Sequence, residues 1–190
     1  MNDHIVNRHT VFILGEYQSD GSLFTRVVEE NRTFLAERKP IQVLDATLNR
    51  IGFNFEGAIK GARSILGKRN KPPIILNPTL GICMFPIKSP HKDDCIWFNP
   101  NHIFKTNEIG RQTEVVFSNG HSIKVDLKVT AFNNKVQMAD QLIKITTKNA
   151  SNPTTHYLRP KKGYEITKEK NGKYNFDIFE KEYEYEGEKV

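Results

Sequence analysis

The sequence predicts an α+β fold, built mainly from antiparallel strands and hairpins with two or three helices. Three observations carry that expectation. β-branched and aromatic runs separated by turn residues fill residues 10–37. Two stretches, beginning at Ile41 and Val129, repeat apolar residues every three to four positions. Asn119-Gly120 divides two alternating runs. Alternation of period two belongs to strands and a period near 3.6 to helices, so the two patterns are separable. The 190 residues, 37% hydrophobic and 26% charged, are globular in composition and sufficient for a proper core.

In chain order, TVFILGEY, SLFTRVVEE and RTFLAE read as a strand meander over residues 10–37, with SDG turning the first pair. KPIQVLDATLNRIG reads as a helix because Ile41, Leu44, Leu48 and Ile51 form one stripe. Pro40 stands at its start and Gly52 just past its end, where each is favoured. EGAIKGARSILG reads as a second helix, with Ile59, Ala62, Ile65 and Leu66 on one face and Gly67 ending it. Its Gly57 and Gly61, four apart, suit close approach of another helix or of a sugar–phosphate backbone. In the basic loop KRNKPP, the two prolines favour an extended chain before them.

IILNPTLGICMFP is expected to form a hairpin turned by Asn77, Pro78 and Gly81. TEVVFSNGHSIKVDL is a second hairpin, in which Asn119-Gly120 suits a type I′ turn; together these hairpins occupy residues 74–127. Val129, Phe132, Val136, Ala139 and Ile143 then mark an amphipathic helix over about 130–147. Its stripe packs either internally or against a second subunit. Residues 1–148 are thus expected to form one domain, and 149–190 a polar linker or loose hairpin followed by an acidic-aromatic tail, helical or extended, from Phe176.

No run of about 18 apolar residues exists, and the N-terminus lacks the features of a signal peptide, so a cytoplasmic protein is expected. Cys83 and Cys95 are read as reduced, Cys83 in an apolar run as an inert buried thiol. His91, Cys95 and His102 raise the question of a catalytic or, with Cys83, a zinc cluster. They lack the close cysteine pairs of zinc sites, and five polar loop residues (HKDDC) need no special explanation. No phosphate-loop, dinucleotide or nucleophile-elbow motif is present, so neither an enzyme, a cofactor nor a metal is expected.

The charge is unevenly distributed. Residues 38–92 hold ten Lys/Arg against two Asp/Glu, a balance of +8 that exceeds the net +6 of the whole chain. Like charges held together repel, and a polyanion relieves them while releasing counterions. The cluster points to a nucleic acid. Arg63, Lys68, Arg69 and Lys71 are expected to contact its phosphates, with Lys60 and Arg50 on the backbone beside them and Asn70 reaching a base. Asn54 and Asn77 are expected to serve as a helix cap and a turn residue. Two alternatives stand beside this reading. The consecutive helices joined by GFN suit a helix-turn-helix that reads the major groove. The basic surface also suits a protein–protein adaptor, with an acidic partner or the chain's own tail, Phe176 to Glu188, lying over the cations.

KPPIILNPTLGICMFP, CIWFNPNHIFK, TEVVFSNGHSIKV and AFNNKVQ, preceded by KPIQVLDATLNRIGFNFEGAIKGAR, together resemble the bacterial competence transcription factor ComK family. The resemblance runs from about Lys39 to Lys148, with an echo in YNFDIFEKEYE. It implies an activator of genes for DNA uptake and recombination, located at the nucleoid. Such a protein binds AT-rich promoter boxes as dimers that assemble into tetramers, largely through the minor groove. It further implies RNA polymerase and a Clp protease adaptor as partners, and no membrane. Some relatives engage that adaptor through an apolar-aromatic element where this chain reads KKGYEITKEK, a more polar stretch.

Overall fold

The computed structural model describes residues 5–151 and 162–180. The chain divides into two compact units, residues 1–153 and 154–190. In the first, Thr10–Tyr17, Leu23–Glu29 and Thr33–Ala36 are β1 to β3, Pro40–Asn49 is α1, and Phe55–Leu66 is α2. Ile74–Asn77, Ile82–Pro86 and Trp97–Phe98 are β4 to β6. Ile103–Ile109, Gln112–Phe117 and Ser122–Val125 are β7 to β9, and Val129–Ser151 is α3. The α+β class follows, with antiparallel pairing throughout.

A six-stranded sheet in the order β3-β2-β1-β6-β5-β4 forms the centre, and β7-β8-β9 form a separate sheet. Side chains of the central sheet point alternately into two cores, as the pleat requires. Along β5, Ile82 and Met84 join one core while Cys83 and Phe85 join the other. That double burial explains the unbroken apolar run ICMFP. Val43, Leu44 and Leu48 of α1 cover the first core, with Phe55, Ala58 and Ile59 of α2 packed against it. The second core is closed by Phe117 and Val115 of β8 and by Phe132 and Ala139 of α3. Around Phe98 the rings of Phe12, Phe85, Phe117 and Phe132 lie with centroids 5.4–6.0 Å away. Val11 and Phe12 both face this core because a bulge interrupts the β1–β2 register at that point.

Of the α3 stripe, Phe132 and Ala139 are buried in the second core, and Val136 and Ile143 pack against it partly buried. Helix α1 begins at Pro40 as expected but ends at Asn49, so Ile51, expected on its stripe, lies beyond the helix and is exposed. Gly52 takes φ 80°, and the Phe53 amide donates back to the Leu48 carbonyl at 3.0 Å, closing the helix end. Asn54 and Asn77 have the structural roles expected of them: their side-chain oxygens accept the amides of Gly57 at 2.7 Å and Leu80 at 2.9 Å. Cys83 and Cys95 are free, buried and assigned to opposite cores. Burial raises the Cys83 thiol pKa far above the ordinary range.

Three expectations need correction. The Asn119-Gly120 turn is not type I′, because among non-glycine described residues only Lys71 has positive φ. Gly120 alone turns left-handed (φ 86°), its amide donating to the Phe117 carbonyl at 3.0 Å. The result is a type I turn with a glycine bulge. Gln18–Ser22 and Glu169–Lys173 repeat it, with Gly21 and Gly172 at φ 82° and 88°. Asp20, Asn119 and Asn171 each accept an amide two residues on, which favours this turn over the mirror-image one. Second, Lys71 has φ 56°, so its backbone is left-handed rather than extended despite the proline after it.

Third, α2 buries only Ala62 fully; Ile59 is half-buried and Ile65 is 37% exposed. A Cβ added at Gly61 would meet no atom within 4 Å, so nothing in the described protein approaches it closely. The glycine pair instead borders an open apolar groove of about 200 Å³ with Ile51, Phe53, Ile65 and Leu142.

In the second unit, Lys162–Lys168 (β10) and Tyr174–Glu180 (β11) form a hairpin. The start of the expected tail is therefore a paired strand, and residues 181–190 lie outside the described part. Tyr164, Ile166, Tyr174, Phe176 and Ile178 share one exposed face.

Candidate nucleic-acid interface

Two acids occur within the basic segment, and the fold commits the first to structure. Asp45 Oδ1 accepts the Phe55 amide at 2.8 Å, at the N-terminus of α2, where a negative charge is favoured. Glu56 lies 4.0 Å from Lys60, and both side chains are strongly exposed. Such a surface pair adds little attraction and leaves the Lys60 charge available to a ligand.

The cations converge in part. Lys60 and Arg63 project from α2 one turn apart and, with Asn70, Lys71 and His91, line a cleft of about 460 Å³. Glu56 contributes its single acid, while Phe55, Ile59, Pro72 and Pro90 supply an apolar floor. The cleft exists because Gly67, at φ 79°, ends α2 and turns the basic loop back beside the helix. The loop before β6 supplies the opposite wall. There Asp94 is held by Lys88, whose hydrogen bond keeps its carboxyl below the usual range, so this acid is spent locally.

Of the seven residues singled out in the sequence, Lys60, Arg63, Asn70 and Lys71 meet in this cleft. Lys68 and Arg69 are exposed on the same loop outside its lining, and Arg69 donates weakly to the Leu66 carbonyl at 3.4 Å. Arg50 is exposed at the end of α1 and does not line the cleft. His91 stands out in the sequence only as a candidate for catalysis or metal; in the fold it faces the cations. His102 is buried, its Nε2 2.8 Å from the Arg8 carbonyl oxygen, which gives it a structural place. Among the described residues, no group of three His, Cys, Asp or Glu is arranged to hold a metal.

Residues 1–151 match the family described as ComK protein. The chain belongs to the ComK family. Among curated proteins, a relative from Bacillus subtilis (strain 168), described as a competence transcription factor, is 30% identical over 138 residues, covering 72% of this chain and 71% of the relative. No solved structure matches the chain. No helix among the described residues is long and apolar enough to cross a membrane. The second unit lies beyond the matched region, so the family match concerns the part of this ComK-family chain that carries the basic cleft.

Proposed function

We propose that this protein is a transcriptional regulator of genetic competence that activates its genes by binding AT-rich promoter DNA through the basic cleft. The convergence of Lys60, Arg63 and Lys71 around one concave, acid-poor surface carries the reading. Family membership and the relative's description support the competence role. The polyanion would come to a surface already gathered by the fold, so little ordering cost opposes binding. Narrow A-tract minor grooves concentrate negative potential and accept inserted Arg or Lys, which fits Arg63 and Lys71 better than a flat face would.

A second reading has its own observation. Helix α2 follows α1 after a short turn and leaves most of its twelve residues unburied, a surface available to a major groove. Distamycin-type ligands separate the two, since they displace a minor-groove reader and leave a major-groove reader bound. Assembly as dimers or tetramers, contact with RNA polymerase and control by a Clp adaptor belong to the same reading and call for direct binding measurements.

The test is fluorescence anisotropy with an AT-rich duplex and a GC-rich control across a salt series. A steep slope with lasting AT preference is the expected result. Equal affinity for both duplexes removes promoter selection, and no binding at moderate salt removes DNA as the ligand.

A further inference from the structure

Helix α2 separates two concavities of different chemistry. Gly57, Gly61 and Ile65 line the apolar groove, where no lining residue is charged. Phe55, Ile59, Lys60 and Arg63 line the basic cleft. Each set advances in four-residue or three-to-four-residue steps, so each follows its own stripe of the helix. Only the second stripe combines charge with apolar surface.

The cleft is therefore double in character. Lys60, Arg63 and Lys71 stand against one acid, Glu56, which lies 4.0 Å from Lys60. The same lining includes Phe55, Ile59, Pro72 and Pro90. The Phe55 ring meets the fully buried Trp97 edge to face at 5.9 Å, so it is held as a fixed part of the cleft. Asn70 adds an amide that both donates and accepts.

A paired duplex satisfies only half of this surface. Its phosphates suit the cations, but its bases are stacked on one another and leave the apolar bed uncovered. The volume of about 460 Å³ falls within the range of small-molecule sites, roughly 300–1,000 Å³. A ligand that fills both halves carries an anion at one end and a flat ring at the other. One aromatic ring, two proline rings and one isoleucine make a short, stiff bed, better matched to a planar ring than to a long alkyl chain. Stacking of a base on such a surface adds affinity whatever the base, and the Asn70 amide complements a base edge.

We propose that the cleft binds one nucleoside phosphate with an unpaired base, its phosphate among Lys60, Arg63 and Lys71 and its base on the apolar bed beside Asn70. A free nucleotide and an unpaired nucleotide of a DNA strand share this chemistry. A nucleotide held there competes with promoter DNA for the same cations. That competition rests on the DNA-binding reading, whereas nucleotide binding is measurable without a duplex.

The test is calorimetric titration of the full chain with dAMP, deoxyadenosine, inorganic phosphate and a short oligodeoxyadenylate strand. dAMP is expected to bind about 10-fold more tightly than inorganic phosphate, within what one stacked base supplies, and more tightly than deoxyadenosine. Arg63→Ala should weaken dAMP about 10-fold. Phe55→Leu stays apolar but loses the aromatic ring; it should weaken dAMP about 5-fold while leaving inorganic phosphate unchanged. If Phe55→Leu fails to fold, the ligand series on the wild type decides.

Equal affinity for dAMP and inorganic phosphate overturns the proposal, because only the charges are then used. So does dAMP affinity that is unchanged in Arg63→Ala, which places the nucleotide elsewhere. If dAMP displaces the strand, a free nucleotide suffices as the ligand; if the strand binds through Arg63 and dAMP does not bind, the ligand is a nucleotide of the strand. An AT-rich duplex that binds while dAMP and the strand do not overturns the nucleotide site and leaves the DNA reading standing. If dAMP binds and the duplex does not, the nucleotide site stands and the DNA reading fails.

Discussion

Asp45 of α1 accepts the backbone amide of Phe55, the first residue of α2, at 2.8 Å. The bond ties the two helices across their short connection and sets where the basic face begins. Asn54 caps the same terminus by accepting the Gly57 amide. Substitution of Asp45 by alanine leaves the Phe55 amide without this acceptor and is expected to cost about 1–2 kcal/mol, in line with the loss of a helix cap. Urea denaturation measures it; an unchanged midpoint would mean that solvent replaces the carboxylate without loss.

Two glycines should respond oppositely to alanine. A Cβ at Gly15 would lie 2.3 Å from the Asp93 carbonyl oxygen, a backbone atom that cannot swing away. Gly15→Ala is expected to destabilise by about 1–3 kcal/mol through overpacking. Gly61 lies inside α2 with nothing within 4 Å of its added Cβ. Gly61→Ala should therefore stabilise by about 0.5–1 kcal/mol, as for any helix-interior glycine. Thermal melts of both variants decide the matter, and destabilisation of Gly61→Ala would reveal a packing demand absent from the described residues.

Stability should fall in acid. Hydrogen bonds from Arg26, His9 and Lys88 hold the carboxyls of Glu16, Glu30 and Asp94 below their ordinary values. Depressed carboxyls stabilise the fold above the unfolded pKa, about 4, and lose that contribution as pH falls through the lower folded values. Asp140 acts in the opposite sense: partial desolvation of this exposed residue's carboxyl raises its pKa, so its ionised form opposes folding weakly at neutral pH and protonation relieves it. The expected profile is a urea midpoint that declines below about pH 5, with Asp140→Asn raising the neutral-pH midpoint. A flat acid limb would contradict the hydrogen bonds assigned to these three carboxyls.

Within the DNA reading, the cleft cations should dominate the salt dependence. Replacing Lys60 and Arg63 together by alanine is expected to reduce the slope of log affinity against log salt by about 0.9 for each phosphate no longer neutralised. Arg50→Ala, away from the cleft lining, should change it less. Equal effects from Arg50 and Arg63 would spread the interface over the whole basic segment rather than concentrating it at the cleft.

Local signals carried much of the fold. Pro40, Gly52 and the Ile41–Leu48 stripe marked α1 because each residue acts on backbone within a turn or so of itself. The hairpins from Ile74 and Thr113 were legible for the same reason, although choosing the turn at Asn119 required φ values that asparagine allows in either sign. The start of the tail was less legible, since Tyr174–Glu180 becomes a strand only when Lys162–Lys168 is there to pair with it.

By itself the sequence determined the α+β class, the concentration of positive charge in residues 38–92 and the family kinship. Composition and short-range periodicity are properties of the chain before it folds. Tertiary structure decided which cations meet. Lys60 and Arg63 join Lys71 only because Gly67 turns the loop beside α2, and His91 reaches the same cleft from a loop twenty residues further on. Electrostatic environment depends on distance and burial in space, and neither quantity exists until the sheet, helices and loops have packed.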